Sequence, residues 1–116
     1  MEASVILSKC SVHNRTFGIR IEKRNSDWVR TWAFKIDEAE ARREGFDKTT
    51  ITGTLDKCHD YPGCPYCGEI SGFVLCGCGK LSCWNPGRKS IICYWCGMNI
   101  DNIINAEYFN VLSGVI

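Results

Sequence analysis

Apolar and polar residues alternate along much of the first half of this 116-residue chain. Residues 17–23 (FGIRIEK) have the period-two pattern of a half-buried strand, with Phe17, Ile19 and Ile21 on one face. Residues 28–36 alternate again and place four apolar side chains on one face: Trp28, Trp32, Phe34 and Ile36. Turn-forming residues lie between the two runs, so we predict an antiparallel hairpin. We expect its aromatic rings to pack in a core, because a nucleic-acid stacking platform needs exposed rings beside cations.

A short helix is predicted after the hairpin, at residues 37–44. Asp37 is a favourable N-cap, and Glu40 stands three residues later, which is the capping-box pattern. Gly45 suits the left-handed position that ends a helix. The pattern therefore predicts one helix of about two turns between β elements.

Two shorter apolar runs, at residues 5–7 and 49–56, predict further strands. Together with the hairpin and the helix, they make residues 1–57 a small α+β unit. Residues 99–116 are ambiguous. Four apolar residues stand there at helical spacing: Ile100, Ile104, Tyr108 and Val111. The asparagines between them weaken a helix prediction, so the sequence does not decide the secondary structure of this C-terminal segment.

Eight of the nine cysteines lie in residues 58–96, which carry three closely spaced cysteine turns. The turns are two C-x-x-C pairs and one C-x-C pair, each followed by glycine: Cys64/Cys67, Cys93/Cys96 and Cys76/Cys78. Such a turn directs two sulfurs to one point, and glycine supplies the positive φ that closes it. Three turns in so short a segment are a much stronger zinc signature than a single pair. The segment is too short to stabilise a core alone, so a metal staple is expected there.

A secreted disulfide scaffold is the main alternative for a chain with nine cysteines. The count is odd, the first residues include Glu2 without a positively charged region, and no window has transmembrane length. These features favour zinc and a reducing cytoplasm. The formal net charge of +1 treats every thiol as neutral. Seven thiolates and two zinc ions would bring it to about −2, which weakens an argument for nucleic-acid binding.

The direction of the chain predicts which cysteines share a metal. Short strands are predicted between the cysteine turns, at residues 73–75, 81–84 and 90–92. The strand at residues 73–75 leads away from the Cys64/Cys67 pair by on the order of 10 Å, and the strand at 81–84 runs back toward it. A turn at residues 85–87 then reverses the chain, so the strand at 90–92 leads away from the pair again. One site is therefore predicted from Cys76, Cys78, Cys93 and Cys96. The other takes Cys64, Cys67, Cys83 and one donor from the preceding segment, for which Cys58 and His59 are equally suitable by chemistry.

Cys10 and His13 form a C-x-x-H pair that can ligate zinc. The pair lies far from the other cysteines in sequence. We therefore expect a buried thiol and a surface histidine rather than two ligands.

The runs YPGCPYCG, GFVLCGCGKLSCW and CYWCG resemble the C-terminal metal-binding domain of TerY-type proteins, and the strand WVRTWAF is similar as well. Proteins of that type carry a von Willebrand A domain and belong to bacterial tellurium-resistance and stress-response systems. The resemblance implies seven cysteines and one histidine as ligands, which assigns His59 as the eighth. It also implies protein partners: a von Willebrand A domain, a kinase or a PP2C-type phosphatase.

The expected fold class is thus α+β, a small antiparallel β-rich domain with one short helix and a zinc-ribbon-like module that binds two zinc ions. The expected organisation is an N-terminal unit (residues 1–57), a two-zinc module (58–98) and a C-terminal segment (99–116), which together form one compact domain. We expect a cytoplasmic protein-interaction module and not an enzyme, because the predicted ligands leave no metal position open for water. The alternative is a nucleic-acid-binding zinc ribbon that uses three cations near two tryptophans: Lys80, Arg88 and Lys89 near Trp84 and Trp95. A RING-like module fits the ligand spacing less well.

Overall fold

The computed structural model describes residues 2–25, 27–48, 50–53, 55–70, 72–85, 88–101 and 109–112. In chain order its elements are β1 (Glu2–Lys9), β2 (Thr16–Arg24), β3 (Asp27–Lys35), α1 (Glu38–Glu44), a 3-10 helix (Phe46–Lys48), β4 (Thr50–Gly53), β5 (Leu55–Lys57), β6 (Phe73–Leu75), β7 (Leu81–Cys83), β8 (Ile91–Ile92), β9 (Asn99–Ile100) and β10 (Phe109–Leu112). Among the described residues, no helix has the length and apolar character needed to cross a lipid bilayer.

A six-stranded sheet with the order β5-β3-β2-β1-β7-β6 forms the frame of the protein. Strands β1, β2 and β3 are antiparallel neighbours, and so are β6 and β7. In contrast, β7 runs parallel to β1, and β5 runs parallel to β3. The sheet is therefore mixed, and the prediction of a purely antiparallel domain was wrong. Parallel neighbours need a long crossover, and several elements stand between β3 and β5 and between β1 and β7. Local patterns predict some of these elements, but they do not reveal which distant strands become neighbours.

Strands from both predicted units share this sheet. β1, β2, β3 and β5 come from residues 1–57, while β6 and β7 come from the cysteine-rich segment. The zinc-ribbon-like arrangement is consequently not confirmed, since two of its strands extend the sheet of the first half. The division at residue 57 itself stays a prediction.

The predicted hairpin is confirmed, but a register shift part-way along β3 changes which of its side chains point into the core. Arg20 pairs with Trp32 and Ile21 pairs with Arg30, so Thr31 is an extra residue in β3. Such a bulge shifts the alternation of side chains by one residue. Trp28 is buried as predicted, whereas Trp32 is 54% exposed, which corrects the prediction that the two share a face. Arg30, two residues after Trp28 and before the bulge, lies on the same buried face, where its guanidinium lies over the rings of Tyr61 and Phe73.

The core lies mainly on one side of the sheet and includes cysteines. Phe17, Ile19 and Ile21 of β2 are buried there, as their spacing predicted, together with Ile6 and Leu81. Cys10, Cys64 and Cys83 belong to the same buried cluster. The cysteine positions are therefore anchored in the main core of the domain.

The predicted helix is confirmed as α1, with its ends where the sequence placed them. The Asp37 side chain accepts a 2.7 Å hydrogen bond from the Glu40 N–H, and Gly45 ends the helix with a φ of 79°. Ala41 faces inward and forms a second small core with Leu7 and Ile36, against which Trp95 packs. The helix thus connects the N-terminal unit to a cysteine turn far along the chain.

The C-terminal segment contributes strands where the structure describes it. β9 pairs with β8, and β10 pairs with β4, both antiparallel. Two residues of the helical-spacing pattern, Ile104 and Tyr108, lie outside the described residues. The same is true of residues 86–87 of the predicted turn.

Candidate metal centres

Four cysteine sulfurs from three distant parts of the chain converge to form the Cys10 cluster: Cys10, Cys64, Cys67 and Cys83. All four sulfurs lie within 4.8 Å of one another, and those of Cys67 and Cys83 are 3.5 Å apart. The parallel pairing of β1 with β7 explains the arrangement. Ser8 pairs with Leu81 and Lys9 with Ser82, so the next residues, Cys10 and Cys83, lie side by side.

His59 does not belong to this cluster, and Cys10 takes the place that the sequence prediction gave to it. His59 is exposed on the loop after β5. Its neighbour Cys58 is also outside the cluster, and the Cys58 sulfur lies 3.2 Å from Oδ1 of Asp60. The expectation of a buried thiol at Cys10 was right, yet that thiol points at three other sulfurs. The C-x-x-H spacing of Cys10 was the signal for it, but only the pairing of β1 with β7 brings it to the site.

The second group, the Cys76 cluster, unites the cysteines that chain direction had placed together: Cys76, Cys78, Cys93 and Cys96. The sulfurs of Cys76 and Cys96 are 3.6 Å apart, and those of Cys78 and Cys93 are 3.8 Å apart. β6 leads away from the Cys64 turn and β7 returns antiparallel to it, as the argument required. The pairing was predictable because short strands between tight turns leave the chain few routes.

The two C-x-x-C turns are closed by the same pair of backbone hydrogen bonds. The Cys64 N–H donates to the Glu69 carbonyl, and the Gly68 N–H donates to the Cys64 carbonyl, both at 2.9 Å. The turn that begins at Cys93 has the equivalent bonds, with Met98 as acceptor and Gly97 as donor. Gly68 and Gly97 have φ values of 81° and 80°, a conformation that side chains disfavour. Glycine therefore allows each turn to bring its two sulfurs to one point.

Burial shapes the protonation of these thiols. The pKa of Cys83 lies far above its usual range, mainly because its thiol contacts the Cys64 thiol and also because it is buried. Hydrogen bonds from Ser11 lower the pKa of Cys83, but they only partly offset these two effects. Burial also raises the pKa of Cys67 to about 11 and raises the pKa of Cys76, Cys78 and Cys93. The Met98 N–H lowers the pKa of Cys96. A metal that binds here must displace protons from most of these sulfurs.

Both clusters have the donor set and spacing of a closed four-sulfur metal site. A zinc–sulfur bond of about 2.3 Å places the corners of a tetrahedron about 3.8 Å apart. The three sulfur–sulfur contacts of 3.5, 3.6 and 3.8 Å agree with that separation. None of the nine cysteines forms a disulfide, so the sulfurs are available as ligands. Four cysteines fill all positions of a tetrahedral ion and leave none for water.

The comparison with protein families agrees with this geometry. The sequence profile of the TerY-C metal binding domain matches residues 1–114. The chain belongs to the TerY-C metal binding domain family. The match spans both halves of the six-stranded sheet and all the cysteines of the two clusters. It confirms the resemblance seen in the cysteine-rich runs, and the protein is a metal-binding domain with two candidate centres. No curated protein and no solved structure matches the chain.

Proposed function

We propose that this TerY-C domain is a cytoplasmic module that uses two structural zinc ions to hold a protein-docking surface. The surface would serve a bacterial TerY-linked stress-response or phosphorylation system, as in tellurium resistance. Its partner would be a von Willebrand A domain, a kinase or a PP2C-type phosphatase. The observation that carries the proposal is the closure of both clusters, in each of which four sulfurs lie within 4.8 Å of one another. Structural zinc sites are closed in this way, whereas catalytic sites keep one position open.

Zinc is the metal that best fits the two clusters. Thiolates are soft ligands that select zinc, Cu(I) or iron, and a four-sulfur tetrahedron suits zinc or an iron–sulfur centre. Each site groups four sulfurs, and the sulfur–sulfur distances of 3.5 Å in the Cys10 cluster and of 3.6 and 3.8 Å in the Cys76 cluster suit one zinc ion per site. Two closed sites of four thiolates each carry a charge of about −2 apiece.

No catalytic role is part of this proposal. Cys58 is the one cysteine outside both clusters, and its thiol lies 3.2 Å from the Asp60 carboxylate. The contact with Cys58 lowers the pKa of Asp60, so this carboxyl is charged at neutral pH. The Cys58 sulfur also lies 3.9 Å from the Thr31 carbonyl oxygen, so two oxygen acceptors hold this thiol, and the proposal gives it no nucleophilic role.

Protein docking is favoured over nucleic-acid binding by the surroundings of Trp95. The Nζ atoms of Lys9 and Lys80 lie 4.7 and 4.8 Å from the centre of its ring, and its Nε1–H donates to the Leu81 carbonyl. The ring is also partly buried against the small core that Ala41 forms with Leu7 and Ile36, so it is poorly placed to stack on a base. Two zinc sites with a combined charge of about −4 would also repel a phosphate backbone.

The proposal is tested with the purified zinc-loaded protein. Elemental analysis should find two zinc ions per chain after preparation under reducing conditions. Calorimetry should then show binding to one of three purified proteins from a TerY-linked system: the von Willebrand A domain, the kinase or the phosphatase. Metal-stripped protein is the control and should not bind. We expect binding to persist when salt is raised from about 0.1 to 0.5 M.

Two results would count against the proposal. One is a metal content of one ion or none. The other is binding only to single-stranded nucleic acid, with the steep loss of affinity in salt that counterion release produces.

A further inference from the structure

The loop between β1 and β2 has the same backbone hydrogen bonds as the two C-x-x-C turns. The Cys10 N–H donates to the Arg15 carbonyl and the Asn14 N–H donates to the Cys10 carbonyl, both at 2.9 Å. In the turns that begin at Cys64 and Cys93, the acceptor is likewise five residues and the donor four residues after the first cysteine. Residues 10–15 therefore form a third turn of the metal-binding type.

Asn14 occupies the position that glycine occupies in the other two turns. Its φ is 52°, compared with 81° for Gly68 and 80° for Gly97. Asparagine is one of the few residues other than glycine that adopt this left-handed conformation at low cost. Asparagine in place of glycine therefore keeps the turn, but a search of the sequence for C-x-x-C-G does not find it.

His13 stands at the second donor position of this turn, where the other turns have Cys67 and Cys96. The first cysteine of each turn is buried, with Cys10, Cys64 and Cys93 at most 3% exposed. The donor three residues later is exposed in all three: His13, Cys67 and Cys96. Donors at this position of the turn are therefore exposed as a rule, so the exposure of His13 does not argue against its binding a metal.

Cys83 differs from the other three members of the Cys10 cluster because it arrives at the end of a strand rather than in a turn. Its sulfur accepts a 3.3 Å hydrogen bond from the Ser11 N–H, within the same turn that presents His13. The two turns beside the Cys10 cluster consequently supply four possible donors: Cys10, His13, Cys64 and Cys67. Cys83 is a fifth possible donor, whereas a tetrahedral metal ion has four coordination positions.

We propose that His13 and Cys83 are alternative fourth ligands of the Cys10 cluster, so that His13 holds the metal when the Cys83 sulfur leaves. Three thiolates and one histidine are a common structural zinc set, so the exchange keeps a closed tetrahedral site. It changes the charge of the metal-bound site from about −2 to about −1, because the imidazole is neutral. The inference rests on the proposed function to the extent that this cluster must hold a metal.

The test compares metal content and Co²⁺ absorption in four proteins: wild type, Cys83→Ala, Cys83→Ala/His13→Ala and Cys76→Ala. Wild type should bind two ions. Cys83→Ala should also bind two, with the near-ultraviolet sulfur-to-cobalt absorption reduced by roughly one thiolate in eight, since that absorption grows with the number of thiolate ligands. Cys83→Ala/His13→Ala should bind one ion. Cys76→Ala is the matched control in the other cluster, whose four donors are the cysteines of its two turns, and it too should bind one.

A fifth protein, Cys83→Ala/His13→Cys, keeps the proposal testable if Cys83→Ala folds poorly. It completes a C-x-x-C pair in the turn of residues 10–15, so it should fold, bind two ions and regain the wild-type cobalt spectrum. If wild type holds two ions but Cys83→Ala holds one and the His13→Cys change does not restore the second, the exchange is overturned. If wild type itself holds fewer than two ions, the two-site function fails first and the exchange falls with it.

Discussion

Gly63, just before the Cys64 turn, is a position where the backbone requires glycine. Its φ is 85°, and a Cβ at this position would lie 2.5 Å from the carbonyl oxygen of Glu69. That oxygen is the acceptor for the Cys64 N–H, the bond that closes the turn. A side chain at residue 63 would therefore strain the backbone and displace the acceptor at the same time.

Replacing Gly63 with alanine should lower the free energy of unfolding of the metal-loaded protein by about 1–3 kcal/mol, the cost of a left-handed non-glycine residue. Gly77→Ala is the matched control. Gly77 also adjoins cluster cysteines, but its φ is not positive and an added Cβ would meet nothing within 4 Å. Its effect should stay within about 0.5 kcal/mol. Urea unfolding followed by circular dichroism gives both values, and equal losses in the two variants would contradict the argument.

At the scale of elements, α1 depends on one side chain at its start, because a seven-residue helix has few internal hydrogen bonds. Asp37→Ala removes the acceptor for the Glu40 N–H and should cost about 1 kcal/mol of stability. Asp37→Asn should cost much less, since asparagine caps equally well. Thermal unfolding of the two variants makes the comparison. A loss in Asp37→Asn as large as that in Asp37→Ala would show that charge, rather than capping, matters here.

The strands should differ in their dependence on metal. β6 and β7 have three residues each and lie between cysteine turns, whereas β2 and β3 have nine residues each and pair along their length. Removal of metal by a chelator should therefore speed amide exchange first in β6, β7 and the cysteine turns, and only later in the β2–β3 hairpin. Hydrogen exchange with mass spectrometry measures the order. Simultaneous loss of protection in both regions would mean that the whole sheet needs the metals.

At the scale of the whole molecule, the two clusters couple metal binding to pH. Burial raises the pKa of Cys67 to about 11 and raises the pKa of Cys76, Cys78 and Cys93, so these thiols are protonated at neutral pH without metal. Zinc should release close to one proton per thiol, with Cys96 the least because its pKa is lowered. Apparent affinity should therefore fall as pH falls and rise as pH rises. Calorimetry in buffers of different ionisation enthalpy counts the protons, and an affinity unchanged between about pH 6 and 8 would contradict this.

The local features of this protein were determined by its sequence alone. The alternation at Phe17, Ile19 and Ile21, the cap at Asp37 and the glycine-closed turns depend on neighbouring residues, so their patterns are visible in the printed chain. The membership of the Cys76 cluster was also predictable, because the strands between its turns are too short for other routes. These interactions close over a few residues, where backbone geometry permits few alternatives.

The choice of Cys10 over His59, the outward position of Trp32 and the mixed sheet were decided by the tertiary structure. Cys10 reaches its cluster because β1 lies parallel to β7, and the contact between Ser11 and Cys83 spans 72 residues of sequence. Trp32 turns outward because the register of β3 on β2 admits Thr31 as a bulge. A local pattern states which face of a strand is apolar, but not which distant strand will be its neighbour. That choice depends on how the whole core packs, since burial of apolar surface is not directional.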